Sequence, residues 1–224
     1  MEKLSNILII IHVIAGFTAF FLGPVAIFSD KFGKAHRTTG KIFSIAMTLV
    51  FITAVVVSIY KSNTFLFMVA MFSFYSVVSG IRILKLKTLG TKKKAKWYDW
   101  GIHGTFFVTC ISFLIFAVYL INQHGFIPLA ILSGLFALGG FVSVRTNLKP
   151  FFRTAQPGNF WLDYHRANMI GAYIATVTAF SAQQLHFMPF LLQWTWPTLV
   201  IVPLSAYFNR KYRSVKKEVV LPNN

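Results

Sequence analysis

Acid is what this chain has least of. Its 224 residues include five Asp and Glu (Glu2, Asp30, Asp99, Asp163 and Glu218) against 22 Lys and Arg, and charged residues of either sign make up only 12%. A soluble domain carries about 25% charged residues, so a free-standing water-soluble domain is excluded. None of the acidic residues lies in the middle of an apolar run. That counts against a proton- or cation-coupled pump, which works through intramembrane carboxylates, but leaves a carrier of neutral solutes open. Cysteine is scarcer still. Cys110 stands alone inside an apolar run, so no intramolecular disulfide can form, and the position reads as a small buried side chain. Walker loop, dinucleotide fingerprint, nucleophile elbow and C-x-x-C pair are all missing, which removes the reactions those motifs support.

What is present is apolar: 56% of the residues are hydrophobic and 17% aromatic. Seven runs are long enough to cross roughly 30 Å of hydrocarbon at about 20 residues each. They fall at approximately 5–28, 38–60, 64–86, 98–122, 126–147, 161–182 and 187–208. In lipid only helices and closed barrels satisfy their backbone hydrogen bonds, and runs this long without alternation are not barrel strands. The expected fold is therefore an all-α bundle of seven transmembrane helices, one domain over 1–209, followed by a basic tail over 210–224. The first run lacks a small-residue cleavage site and is too long for a signal-peptide core, so it is expected to stay as a helix.

The basic residues are sorted by end. Lys31, Lys34, Arg37 and Lys41 fall together, as do Arg82 to Lys96, then Arg145, Lys149, Arg153 and Arg166, and finally Arg210, Lys211, Arg213, Lys216 and Lys217. The opposite end holds Lys3 and Lys61. The positive-inside rule makes the crowded end cytoplasmic, with the N-terminus outside and the C-terminus inside, in the cytoplasmic (inner) membrane of a cell. The Lys92-Lys93-Lys94-Ala95-Lys96 run reads as an anchor to anionic lipid, with the bilayer as partner and no nucleic acid.

Polar chemistry gathers at that same end. His36 stands at the mouth of the second run, and His103 and His165 lie within about 10 Å of the start of theirs at 1.5 Å per residue. Asp99 and His103 are four apart and share a helix face. Imidazoles with a carboxylate nearby suit zinc or another transition metal, and two imidazoles on facing helices suit the iron of a b-type haem. Separate interfacial hydrogen bonds account for each histidine equally well. His36, His103, His165 and Asp99 are the candidate metal ligands, and His103 with His165 the candidate haem ligands. Arg82 and Arg166 are candidates for an anionic small molecule or lipid head group; Arg82 is also a counter-charge for Asp99 or Asp163, or simply snorkels to the interface. His12 sits about two turns into the first run from the other end. With Gly16, Ala19 and Gly23 it forms a small-residue face open to a neighbouring helix or a flat cofactor.

Several segments together resemble a widespread group of bacterial integral membrane proteins of unknown function: His12-Val13-Ile14-Ala15-Gly16, Gly23-Pro24, His36-Arg37-Thr38-Thr39-Gly40, Ser73-Phe74-Tyr75, Asp99-Trp100, and His165 through Phe180. The resemblance covers most of the chain and implies a bacterial inner-membrane setting without supplying an activity. His103 is not a hallmark of that group, which puts the weight on His36 with His165. Other seven-helix patterns fit poorly. The last run has no lysine for a retinal Schiff base, no two histidines are four apart as in membrane zinc hydrolases, and no secure outer pair accompanies the inner histidines as in two-haem cytochromes. A metal- or haem-binding role, with redox chemistry among its uses, is the leading expectation, with a small-molecule or lipid carrier and a non-catalytic assembly partner as alternatives.

Overall fold

Local polar chemistry sets the helix ends in a computed structural model of the chain, which describes residues 2–154, 156 and 158–220. The first helix, α1 (Glu2–Phe28), is followed by α2 (Lys34–Tyr60), which stops at Lys61; Ser62 then takes a positive φ of 50°. The Asn63 side chain accepts the Leu66 N–H at 3.0 Å and so caps α3 (Thr64–Ile83). In α4 (Trp97–His124) the Asp99 carboxylate reaches back to accept the Lys96 N–H at 2.8 Å, satisfying an otherwise orphaned donor of the first turn. Gly125, at φ 74°, ends α4 where a side chain would be strained. Pro128 opens α5 (Pro128–Leu148) without forfeiting a hydrogen bond. A short 3₁₀ turn, Lys149–Phe152, leads towards α6 (Phe160–Gln184), and α7 (Phe190–Val220) completes the fold.

The protein is thus an all-α bundle of seven helices, 83% helical, with no strand among the described residues. Five helices, α1 to α5, are long and apolar enough to cross a membrane. Their outward faces are correspondingly apolar. Ile10, Ile14, Phe21, Ile45, Ile59 and Val142 are each more than half exposed, a surface that water would penalise and lipid would not. α6 is more polar, with Asp163, His165, Arg166 and Asn168 in its first turns. The basic tail marked by the sequence begins inside α7, which continues to Val220; residues 221–224, like Pro157 of the loop before α6, lie outside the described residues.

A stripe of small residues, Asn168, Gly171, Ala175, Thr178 and Ala182, makes α6 the expected centre of the bundle, yet α3 takes that position. It packs against α2, α4, α5 and α6, and ten of its twenty residues are buried. α6 lies beside it, touching α1, α3 and α7. The reason lies in the two polar stripes: α3 carries Ser73, Ser76, Ser79 and Gly80 on buried positions, so neighbours can approach it from several sides. Small residues also set the closest approaches elsewhere. A Cβ on Gly23 would lie 2.3 Å from the Tyr173 ring, and one on Gly140 would lie 2.3 Å from the Cys110 sulfur. These two glycines hold α1 against α6 and α4 against α5. Gly16, the other glycine of the small face of α1, has open space in front of it.

Candidate functional site

The chain ends α1 and α3, and starts α2, α4 and α6, at one end of the bundle, so the polar residues of those turns share a level. Laterally they divide into two groups.

The first group is built around α3 and α4. Arg82, in the last turn of α3, meets Asp99, in the first turn of α4, through two parallel contacts: Nε to Oδ1 at 2.5 Å and a terminal nitrogen to Oδ2 at 3.1 Å. The same guanidinium donates to the Tyr98 hydroxyl at 3.2 Å and lies over its ring. Asp99 is wholly buried. Its charge is thereby matched by a bidentate guanidinium and a backbone N–H, the arrangement that makes a buried carboxylate tolerable. One turn further along α4, His103 accepts the Tyr75 hydroxyl at Nδ1, 2.8 Å away. Tyr75 in turn accepts from Asn147 Nδ2 at 3.2 Å, which leaves its own O–H to donate and the His103 proton on Nε2. Asn147 and Asn168 exchange two hydrogen bonds, at 3.0 and 2.7 Å. Asp99, His103, Asn147 and Ser79 border a cavity with about 10 Å³ of room for a water centre. The Ser79 hydroxyl is buried there without a protein partner, and the space is near the threshold at which a polar void holds one water.

The second group lies between α1, α2 and α6. His36 Nδ1 is 2.9 Å from the carbonyl of Ala26, and His165 Nδ1 is 2.8 Å from the carbonyl of Gly80. A carbonyl only accepts, so each ring donates from Nδ1 and keeps the lone pair of Nε2 free. The two ring centres are 6.4 Å apart, with planes inclined at 77°. Lys31, in the α1–α2 connection, donates to the Ile27 carbonyl. Burial, and after it the positive charge of Arg166, push the Lys31 ammonium below its ordinary pKa, with Asp30 acting the other way. Lys31, Arg166 and His36 are also the charged or titratable neighbours of His165. Beneath the pair lies an apolar cluster of Phe43, Met47, Ala19 and Ala172, with the half-buried Met169 and Tyr173 against it.

The residues singled out from the sequence are therefore distributed as follows. His36 and His165 are neighbours. His103 is at the same end but is held by Tyr75, and no group of three or more His, Cys, Asp or Glu placed to hold a metal ion exists among the described residues. Asp99 and Arg82 face each other, which is the counter-charge role and leaves neither open to a ligand. Arg166 borders the imidazole pair. His12 is remote from all of these: its Nδ1 is 3.0 Å from the Thr53 hydroxyl, which itself donates to the Leu49 carbonyl at 2.7 Å. Two participants were not anticipated. Asn147 sits at the edge of its run, where an amide passes for an interfacial residue. Lys31 was one basic residue among many, and nothing in its position marks it as half-buried.

No protein-family model, curated protein or solved structure matches the chain.

Proposed function

We propose that this is a multi-pass protein of the cytoplasmic membrane, basic end inward, that binds a b-type haem through His36 and His165 and serves electron transfer. The observation that carries the reading is the imidazole pair with both Nδ1–H groups anchored on backbone carbonyls. Metal-binding histidines are fixed in this way, the outer hydrogen bond setting the tautomer and aiming the free nitrogen. Two further features favour haem over a bare ion. Structural zinc needs four protein ligands and catalytic zinc three, whereas a haem brings four nitrogens of its own and asks the protein for two. The ring centres of His36 and His165 are 6.4 Å apart, and these two side chains would hold the group. Lys31 and Arg166 would repel a naked dication but complement the carboxylates of a haem. The apolar cluster below the pair is closely packed, with Met169 and Tyr173 its two half-buried members. The bound group would supply one-electron chemistry; His36 and His165 would hold it, with Lys31 and Arg166 beside them.

Protein purified from iron-replete cells tests this. The expected preparation is coloured and contains iron near one equivalent per chain; a colourless preparation without stoichiometric metal rejects the reading.

A second reading rests on the same cationic rim. Lys31 and Arg166 beside two imidazoles could instead receive an anionic small molecule or lipid head group for carriage across the bilayer. A continuous path through the bundle would be required, and the packed cluster beneath the pair weighs against it.

A further inference from the structure

The connection between α3 and α4, residues 84–96, carries six lysines and is folded. Leu86 and Leu89 are 2% and 3% exposed and pack with Ile83 and Phe160. The Thr88 carbonyl accepts the N–H groups of Thr91, Lys92 and Lys93, and Gly90, at φ 87°, donates to the Lys93 carbonyl at 2.9 Å. A Cβ on Gly90 would lie 2.9 Å from the Thr154 carbonyl oxygen, so the turn is also seated on the chain leading to α6. Three of the lysines are positioned by side-chain contacts, Lys96 lying 5.9 Å from the centre of the Tyr98 ring. Lys93 Nζ donates to the Lys85 carbonyl at 3.0 Å, and Lys87 lies over the Trp161 ring, 4.2 Å from its centre.

This scaffold shapes an open cavity of about 700 Å³ lined by Lys85, Lys87, Lys92, Lys93, Lys94 and Lys96, with no carboxylate in its wall. Arg82 reaches its edge but is already matched by Asp99. Six exposed like charges on one folded turn repel one another, and an anion among them relieves that repulsion. A single phosphate is small for the space and neutralises little of the charge. The flanking Trp97 is 83% exposed, as a side chain in the headgroup layer is, and the lysines follow the membrane-crossing α3 directly. We infer that the 84–96 turn is a binding cup for the headgroup of a phospholipid that carries two phosphates, as in cardiolipin.

The test uses the full-length protein in neutral detergent, with bound lipid followed by native mass spectrometry. Cardiolipin, phosphatidylglycerol at matched phosphate, and inorganic pyrophosphate are titrated in parallel. Cardiolipin is expected to bind in preference to both. Juxtamembrane lysines contribute about a factor of five each in affinity, so Lys92→Gln/Lys93→Gln/Lys94→Gln should weaken cardiolipin on the order of a hundredfold. The corresponding arginine triple variant should retain it, and Lys3→Gln/Lys61→Gln, at the opposite end, should leave it unchanged. Equal binding of cardiolipin and phosphatidylglycerol at matched phosphate would overturn the inference, as would pyrophosphate binding as tightly as lipid, or a glutamine triple variant that binds like the parent. The comparison of the three ligands on the parent protein decides the matter even if the glutamine variant fails to fold.

Discussion

Arg82 and Asp99 close the basic end of the bundle as a bidentate pair, with Asp99 fully buried and also accepting the Lys96 N–H. One contact therefore ties the last turn of the central helix to the first turn of α4 and caps that helix as well. Removing one partner strands the other charge. Arg82→Gln, which strands the buried Asp99 carboxylate, is expected to destabilise the fold by about 3 kcal/mol, while Arg82→Gln/Asp99→Asn together should cost less than the sum of the two single changes. Reversible unfolding in mixed micelles, run as a double-mutant cycle, measures both; additive losses would show that the two side chains do not depend on each other.

The Asn147–Asn168 exchange gives a second expectation. Asn147→Leu removes the donor to Asn168 Oδ1 and to the Tyr75 oxygen, while Tyr75 keeps His103 and Asn168 Nδ2 keeps the Tyr164 carbonyl; the buried Asn168 oxygen left unpaired costs about 1–3 kcal/mol. Asn147→Leu/Asn168→Leu removes both amides and should recover part of that loss, which the same unfolding assay would register. Asn147→Leu alone should leave ligand binding at His36 and His165 unchanged, because Asn147 stands in the other polar group.

At the α4–α5 contact the expectation is steric. The Cβ of Gly140→Ala would fall 2.3 Å from Cys110 Sγ and 3.4 Å from the Phe106 ring, and Cys110 is fully buried. Overpacking of this kind costs about 1–3 kcal/mol. Cys110→Ala removes the obstructing sulfur, so Cys110→Ala/Gly140→Ala should be more stable than Gly140→Ala alone, read as a shift in thermal unfolding.

α1 to α5 were legible in the sequence because each is a long apolar run bounded by glycine, asparagine, proline or charge, and such runs have one stable conformation in lipid; α6 and α7 are more polar, and the end of α7 runs on into the basic segment. Depth was legible too, since counting from a helix end places a residue along the axis. Rotation and neighbour were not. His36, His103 and His165 all count to similar depth, but α2 packs on α1 and α3 while α4 packs on α3 and α5, and which faces meet depends on the fit of Gly23 to Tyr173 and Gly140 to Cys110. α3 and α6 both carry small and polar residues at buried positions, and only packing distinguishes the centre from its neighbour. Asn147 was passed over because one amide at the end of a run carries no periodic signal. Its importance lies wholly in the long-range partners Tyr75 and Asn168.

Orientation gives a further prediction. Of the connections, those carrying Lys31 to Lys41, Arg82 to Lys96 and Arg145 to Arg166 share one end with the tail, and the opposite end has Lys3 and Lys61. A fluorescent protein fused after Asn224 should therefore fold and fluoresce in the cytoplasm, while alkaline phosphatase fused there should be inactive. The reverse pair of results would place the basic end outside.

The central proposal is met most directly by titrating the purified protein with haemin and recording the Soret band for the parent chain, His36→Ala, His165→Ala and His103→Ala. Saturation at one equivalent with a low-spin bis-imidazole spectrum is predicted for the parent and for His103→Ala, and loss of that spectrum for His36→Ala and for His165→Ala. A parent protein that takes up no haem, or one whose spectrum survives both of those substitutions, would contradict it.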